Sequence, residues 1–361
     1  MDTLEELRSQ IDEIDRDILK LLNRRMKVSY EIGRIKAELG QDIVDPSREE
    51  KVLVKLASSN RGPLLDKTLK AIYREIFSGS RALQSPLTVA FFGPIGTYTH
   101  EAAVERFGHS AGFLPCSTIG DVFEQVMQDG ATFGVVPVEN SIEGSVRETL
   151  DRLMTSSVGI CGEISLRITH ALMNLSGKIE DVRQVMSHPQ ALAQCRQWLT
   201  RTLPAIPLVE TSTTVKAAEH AVTDKYIAAV GSERLAVKLG LQAVSSGIQD
   251  RAENITRFLV LGRMKPPSTG HDKTSIVFWT EDKPGALFKI LERFAMHGIN
   301  LSRIQSRPDR GGMPWKYAFF VDLEGHRDDS GISACLKDMS SRDTLVKVLG
   351  SFPVHSLPDE N

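Results

Sequence analysis

From residue 4 to residue 39 the apolar residues keep a single period. Leu4, Leu7, Ile11, Ile14, Ile18, Leu21, Val28, Ile32 and Ile35 trace one stripe, the spacing of one face of an α-helix. Such a helix is roughly 54 Å long at 1.5 Å per residue. Gly40 ends it, and Asp45-Pro46 opens a second helix as N-cap and first position. Asn60-Arg61-Gly62-Pro63 breaks the second. A third runs to about Gln84 with Leu65, Leu69, Ile72, Ile76 and Leu83 inward. One long helix and two shorter ones make a poor closed core. The long stripe is therefore expected to lie against a second copy of the chain, in a homodimer or a higher homo-oligomer.

Ser85-Pro86 reads as a linker, and beyond it the period changes. Strand-like runs at 87–92, 132–138, 184–187, 226–231 and 257–262 alternate with helical stretches near 99–107, 118–129, 145–154, 189–201 and 214–223. That alternation indicates an α/β region. A second linker, Met264 to Gly270, carries two prolines and a glycine. After it the order is strand SIVFWT, helix PGALFKILERFAMHG, strand INLSRIQSR, strand WKYAFFVDL, helix GISACLKDM and strand TLVKVLGSF. This βαββαβ order is the ferredoxin-like one. The fold expected is thus multidomain: all-α over 1–85, α/β over 87–265 and α+β over 272–356.

Composition closes off several functions. A length of 361 residues suits two or three domains. The 41% hydrophobic and 25% charged content is that of an ordinary globular protein. A formal net charge of −2 gives no overall pull toward nucleic acid or an anionic membrane. There is no membrane span, and MDTLEELRSQ is unlike a signal peptide. Cys116, Cys161, Cys195 and Cys335 are scattered without CxxC, so the expectation is reduced thiols in the cytoplasm. The histidines lack metal spacing, and neither a Walker A loop nor GxGxxG occurs. No metal and no cofactor are expected.

Arg25 and Lys36 lie about 20° apart around the long helix and share a face. Arg8 is about 26 Å from Arg25 along the axis and about 100° round from it, beyond reach of the same small ligand within one chain. Ser80 and Gln84 are one turn apart on one face. The segments LRSQIDEIDRDILKLLNRRMKVSYEIGRIK, DPSREE and SRALQ resemble the all-helical chorismate mutase family. The resemblance implies a pocket of Arg8 (from a partner subunit), Arg25, Lys36, Asp45, Arg48, Glu49, Ser80 and Gln84. Arginines would fork the two carboxylates of chorismate. Lys36 and Gln84 would be the catalytic donors to the ether oxygen, where charge develops. Glu49 would hold the substrate hydroxyl.

In the middle region several loops that join strands to helices carry hydroxyls or amides. Singly each is ordinary capping; converging at strand ends, they suggest an anion pocket in a cleft. GPIGTYTHEAA, VVPVENSIEGSV, MSHPQALAQC, GSERLAVKLGL and ENITRFLVLG resemble prephenate dehydratase in that order. The family fold is two α/β lobes, similar to type-2 periplasmic binding proteins, and Thr256-Arg257-Phe258 is its signature. The resemblance makes Thr256 the catalytic group that donates to the departing hydroxyl of prephenate, through orientation or a relay. Arg257 would neutralise a carboxylate or brace the loop. Glu139, Asn140, Ser187, Gln194 and Phe258 complete the implied substrate pocket. His188, before a proline, reads as structural.

The C-terminal unit resembles an ACT domain. Gly285, Ala286, Leu287 and Phe288 form its strand-to-helix loop, and Gln305, Ser306, Arg307 and Pro308 end the next strand. In the dehydratase family such motifs bind L-phenylalanine at a subunit interface. This chain has Gln305 where the family has glutamate. The joint implication is a bifunctional chorismate mutase–prephenate dehydratase acting on chorismate and prephenate, feedback-inhibited by L-phenylalanine. Arogenate dehydratase activity in the middle region and a non-catalytic amino-acid sensor are the alternatives.

Overall fold

The computed structural model describes residues 3–40, 46–280, 283–308, 317–340 and 345–355, with only the backbone of 46, 47 and 340. Asp45, expected as an N-cap and a site residue, lies outside the described residues. Two compact units emerge, one of Met1–Thr88 with Val104–Gly112 and one of Val89–Ala103 with Phe113–Asn361.

The first unit holds α1 (Leu4–Glu38), α2 (Pro46–Ser59) and α3 (Asp66–Gln84). Thr3 and Glu6 start α1 with a reciprocal capping box. The expected stripe of α1 is open in the single chain, from 45% exposed at Leu7 to 64% at Leu4. On α3 the expectation needs correction. Leu69 is buried, but Leu65, Ile72 and Leu83 are exposed. Phe77, Ser78, Ser80 and Arg81 are the buried residues instead. α1 and α3 meet through small residues: Gly33 of α1 sits against Gln84, where an added Cβ would come within 2.6 Å of Gln84 Cγ. Close approach of two helices favours small side chains over a leucine stripe.

The chain continues with β1 (Thr88–Phe92), α4 (Tyr98–Phe107, whose end from Val104 belongs to the first unit), β2 (Gly112–Cys116), α5 (Ile119–Met127), β3 (Phe133–Asn140), β4 (Gly144–Ser145), α6 (Arg147–Thr155) and β5 (Gly159–Arg167). It continues through β6 (Ala171–Asn174), β7 (Gln184–Ser187), α7 (Pro189–Gln194), α8 (Arg196–Thr202), β8 (Leu208–Glu210), α9 (Thr214–Thr223), β9 (Ile227–Gly231), α10 (Glu233–Leu239), β10 (Gln242–Ser246) and β11 (Ile255–Gly262). Two sheets form, in the orders β2-β1-β3-β11-β5 and β10-β6-β9-β7-β8, with β4 beside β3. Each centres one lobe. The chain crosses between lobes at 168–170 and returns at 247–254. These crossings hold each other: Ile168 N–H donates to Asn254 O at 2.7 Å and Ile248 N–H to His170 O at 3.0 Å. The last strand of the first lobe starts earlier than the run 257–262, so Thr256 lies inside β11 rather than before it.

The remainder is β12 (Asp272–Thr280), α11 (Ala286–Met296), β13 (Leu301–Pro308), β14 (Tyr317–Glu324), α12 (Ser330–Ser340) and β15 (Leu345–Pro353), in sheet order β13-β14-β12-β15. The expected βαββαβ order is present. Strand alternation gives this sheet two apolar faces. Ile276 and Phe278 pack with Ile290 and Phe294 of α11. Val277, Phe320 and Leu349 share a core with Val138, Leu150 and Leu259 of the first lobe. β15 passes β5 so closely that a Cβ on Gly350 would lie 1.9 Å from Ile160 O, a position only glycine fits.

Candidate active sites

In the helical unit α1 and α3 bring several expected residues together. Arg25 Nη1 donates to Ser80 Oγ at 2.5 Å, and Ser80 donates to Ile76 O at 2.8 Å. The Arg25 guanidinium also lies 5.4 Å from the Phe77 ring centroid. Burial pushes its pKa down, opposed by Tyr73 and Glu49. Lys36, half-buried, is one turn along α1 from Gly33, against which Gln84 packs. Gln84 Oε1 is buried with no hydrogen-bond partner among the described residues. Arg8 and Arg48 are exposed, and the straight α1 keeps Arg8 away from Arg25. Glu49 departs from expectation: it is ion-paired with Arg81, which also donates to Phe107 O at 2.8 Å. On sequence alone Arg81 is one more helical arginine, with no spacing that marks it.

In the first lobe β11 and β3 pair Thr256 with Asn140 and Arg257 with Glu139. Successive side chains point to opposite faces of a strand, and the two pairs separate accordingly. On one face Asn140 Oδ1 accepts from the N–H groups of Ile142 and Glu143 at 3.0 and 3.1 Å. Its Nδ2 therefore donates, to Asn254 Oδ1 at 2.7 Å and to Thr256 Oγ1 at 2.8 Å. Thr256 is half-buried. With its oxygen accepting from Asn140, its hydroxyl hydrogen is left to donate elsewhere.

Asn254, fully buried, donates to Gln194 Oε1 at 2.9 Å. Gln194, at the end of α7 in the second lobe, donates to Glu143 Oε1 at 3.1 Å. Behind it lies the buried His170 ring, with Nε2 2.9 Å from Gln194 Oε1 and Nδ1 2.9 Å from Tyr98 Oη. Burial pushes the His170 pKa down against the Gln194 hydrogen bond. Burial, then Glu101, pushes the Tyr98 hydroxyl well up. Asn140, Gln194 and Thr256 are thus brought together with Asn254 of the same ENITRFLVLG motif, and His170, Tyr98 and Glu143 join them.

The other expected residues of the middle region go elsewhere. Arg257 Nε pairs with Glu163 and Nη1 with Asp322, both at 2.6 Å. Two carboxylates hold it against the sheet, while its Nη2 is buried with no hydrogen-bond partner among the described residues. Glu139 is paired with Arg303 at 2.9 Å on that same face. Phe258, 1% exposed, is a core residue. Ser187 is fully buried and donates to Val230 O at 2.6 Å, so its hydroxyl holds the sheet. His188 is the N-cap of α7, the structural role expected.

In the C-terminal unit Gly285 takes φ 80° at the start of α11, and Phe288 is 65% exposed. Gln305 and Arg307 point toward the first lobe, Gln305 accepting from Ser145 Oγ at 3.1 Å and Arg307 pairing with Asp151 at 2.7 Å. Ser306 and Pro308 are exposed on the other side. The four cannot all contact one effector from one face, because consecutive strand residues alternate.

Three family models match the chain: Chorismate mutase type II over residues 7–85, Prephenate dehydratase over 89–266 and ACT domain over 274–340. A bifunctional chorismate mutase/prephenate dehydratase of Aquifex aeolicus is 46% identical over 357 residues, covering 98% of each chain. An arogenate dehydratase/prephenate dehydratase of Arabidopsis thaliana is 38% identical, over 81% of this chain and 78% of its own. Among solved structures, a prephenate dehydratase from Arthrobacter aurescens in complex with L-Phe aligns with TM-score 0.68 and 35% identity, over 74% of this chain and 90% of that one.

Proposed function

The chain belongs to the bifunctional chorismate mutase/prephenate dehydratase family, and from that premise we propose how its parts divide the work. Residues 1–85 rearrange chorismate to prephenate. Residues 87–265 convert prephenate to phenylpyruvate. Residues 272–356 bind L-phenylalanine, which inhibits the dehydration. The protein works in the cytoplasm as a homodimer or larger homo-oligomer. The open stripe on α1 supports the second copy, and the four buried cysteines, none of them in a disulfide, support a reducing compartment.

The mutase step is pericyclic and needs no nucleophile. Arg25, Arg48 and Arg8 of a second copy hold the two carboxylates, and Ser80 keeps Arg25 in place. Lys36 and Gln84 donate to the ether oxygen as its bond to carbon lengthens. Glu49 acts through Arg81. Losing one such donor costs roughly 3 kcal/mol of transition-state stabilisation. Lys36→Ala should therefore lower chorismate turnover by about a hundredfold or more and leave prephenate turnover intact. Wild-type mutase rates in that variant would end the assignment.

Dehydration releases carbon dioxide and the ring hydroxyl, which leaves as water once protonated, and the ring becomes aromatic. The enzyme must orient the carboxylate and supply a hydrogen to the departing oxygen. The observation that carries this reading is the Asn140 Nδ2 donation to Thr256 Oγ1. It commits the threonine oxygen as acceptor, so the threonine's own hydrogen is the one available to a leaving hydroxyl. Gln194 and Asn254 hold Asn140 in register.

Purified protein given chorismate should form phenylpyruvate, and L-phenylalanine should suppress its appearance while prephenate accumulates. Absence of phenylpyruvate would overturn the reading. The Arabidopsis relative is an arogenate dehydratase/prephenate dehydratase, which makes arogenate the competitor to include. Turnover of arogenate in preference to prephenate would reassign the middle segment.

A further inference from the structure

The hydrogen-bond direction can be followed from the backbone to a residue the proposed chemistry does not use. Two N–H groups fix Asn140 Oδ1 as an acceptor, so Asn140 Nδ2 donates to Asn254 Oδ1. Asn254 Nδ2 then donates to Gln194 Oε1, and Gln194 Nε2 to the Glu143 carboxylate. Reversing either amide would set donor against donor and acceptor against acceptor. Gln194 Oε1 is an acceptor, so the His170 Nε2 beside it carries a hydrogen. The other nitrogen, Nδ1, faces Tyr98 Oη, whose hydroxyl also lies 2.6 Å from Thr169 O. Tyr98 Oη donates its one hydrogen to Thr169 O, and a neutral ring with its hydrogen on Nε2 leaves Nδ1 as a second acceptor of that hydrogen. Burial favours that neutral form.

His170 also occupies a particular place. It lies in the outgoing crossing between the lobes, with its N–H on Gln249 Oε1 at 2.9 Å in the return crossing. Tyr98 belongs to the first lobe and Gln194 to the second. One ring nitrogen therefore holds each lobe, at the point where the chain passes between them. Hinge residues of this kind fix the alignment of groups on either side.

We propose that His170 is a positioning residue for dehydration: an Nε2–H imidazole at the hinge that locks Gln194 and, through it, the Asn254–Asn140–Thr256 row. This inference rests on the dehydratase reading above. It assigns His170 no contact with substrate and no proton transfer.

The test uses the full-length protein with prephenate and follows phenylpyruvate. His170→Phe fills the space without hydrogen bonds. It should lower kcat by about tenfold or more with KM within about twofold, the pattern of misplaced reacting groups. His170→Gln offers a donor and an acceptor and should recover to within about threefold of wild type. Tyr98→Phe keeps the aromatic ring but frees Nδ1 to take the hydrogen. It should lower kcat severalfold, and in histidine-labelled protein the His170 ¹⁵N signals should change from one Nε2–H tautomer to a mixture. Mutase turnover in each variant should stay at the wild-type level.

Wild-type kcat in His170→Phe, equal losses in the Phe and Gln variants, or a wild-type ring with its hydrogen on Nδ1 would each overturn the proposal. Should His170→Phe not fold, the wild-type spectrum and Tyr98→Phe decide alone. Wild-type protein that makes no phenylpyruvate removes the dehydratase reading and this inference together. Wild-type turnover matched by His170→Phe removes this inference only.

Discussion

Thr256 and Arg257 are consecutive residues of β11, yet they belong to opposite kinds of chemistry. Thr256 faces a row of amides, Asn140, Asn254 and Gln194, with the carboxylate of Glu143 at its edge. Arg257 faces a cluster of charges. Glu163 takes both Arg257 and Lys273, Asp322 takes Arg257 and the Ser275 hydroxyl, and Glu139 takes Arg303. Amides carry direction without net charge, so a chain of them can aim one hydroxyl hydrogen and still leave room for an anion. Buried ions cost desolvation free energy that only close pairing recovers. They bind two surfaces firmly when every partner is present. In this molecule they join the C-terminal sheet to the first lobe. The pleat of one strand thus separates the reacting face from the docking face by a single residue.

The contrast can be broken from either side, and the docking face should give the larger response. Asp322 is 4% exposed, and its carboxyl sits below its ordinary range. Burial alone would raise it, but Arg257, the Ser275 hydrogen bond and Arg303 outweigh that. Asp322→Ala leaves Arg257 with one partner and should cost about 3 kcal/mol, as breaking buried pairs does. A large fall in Tm should therefore appear, with dehydratase kcat in the folded protein little changed. Thr256→Ala should do the reverse, lowering kcat by about tenfold or more with Tm nearly unmoved. If both variants lost stability and activity in the same proportion, the two faces would not be separable.

How much of this was legible in the sequence follows from the same contrast. The helical period of α1, the strand–helix alternation and the βαββαβ order were readable because apolar spacing reports them directly. β5 was not. Its run GICGEISLR holds two glycines and Glu163, poor strand formers whose place is set by Gly350 passing close and by Arg257 and Lys273 on the carboxylate. The motif residues were legible as a set, but their directions were not. Glu139 beside Asn140, Arg257 beside Thr256 and Gln305 beside Ser306 read as contiguous patches and fold onto opposite faces. His170 gave no signal, since a lone histidine between two strands has no spacing to read. Its role comes from Tyr98 and Gln194, which are distant in sequence and meet it only in the fold.

Acid should sharpen the distinction more gently. A carboxyl with a lowered folded pKa contributes stability that is present above its unfolded pKa and lost as pH falls through the folded one. For Asp322 that window lies below about pH 4. Thermal stability of the docked sheet should hide its charge dependence between neutrality and about pH 5 and fall off below about pH 4. A loss centred near neutral pH would point to a histidine in place of this carboxylate.

The smallest expected effect tests which side Gln305 serves. Its Oε1 accepts from Ser145 Oγ, which also accepts from Arg303 Nη2 at 2.9 Å. Gln305→Glu keeps that acceptor, loses the donation from Nε2 to Ser306 O at 3.3 Å, and brings an anion beside Arg303. The gain should stay below about 1 kcal/mol, since the site is only half-buried, and it should shrink at high salt. Because Gln305 faces the first lobe, the change should alter how strongly L-phenylalanine suppresses dehydration. The concentration at which L-phenylalanine raises Tm should stay within about twofold of wild type, since the coupling free energy can change while the binding contacts do not. A shift in that concentration with unchanged maximal inhibition would move Gln305 from the docking face to the effector's own contacts, and the division along the pleat would then not extend to β13.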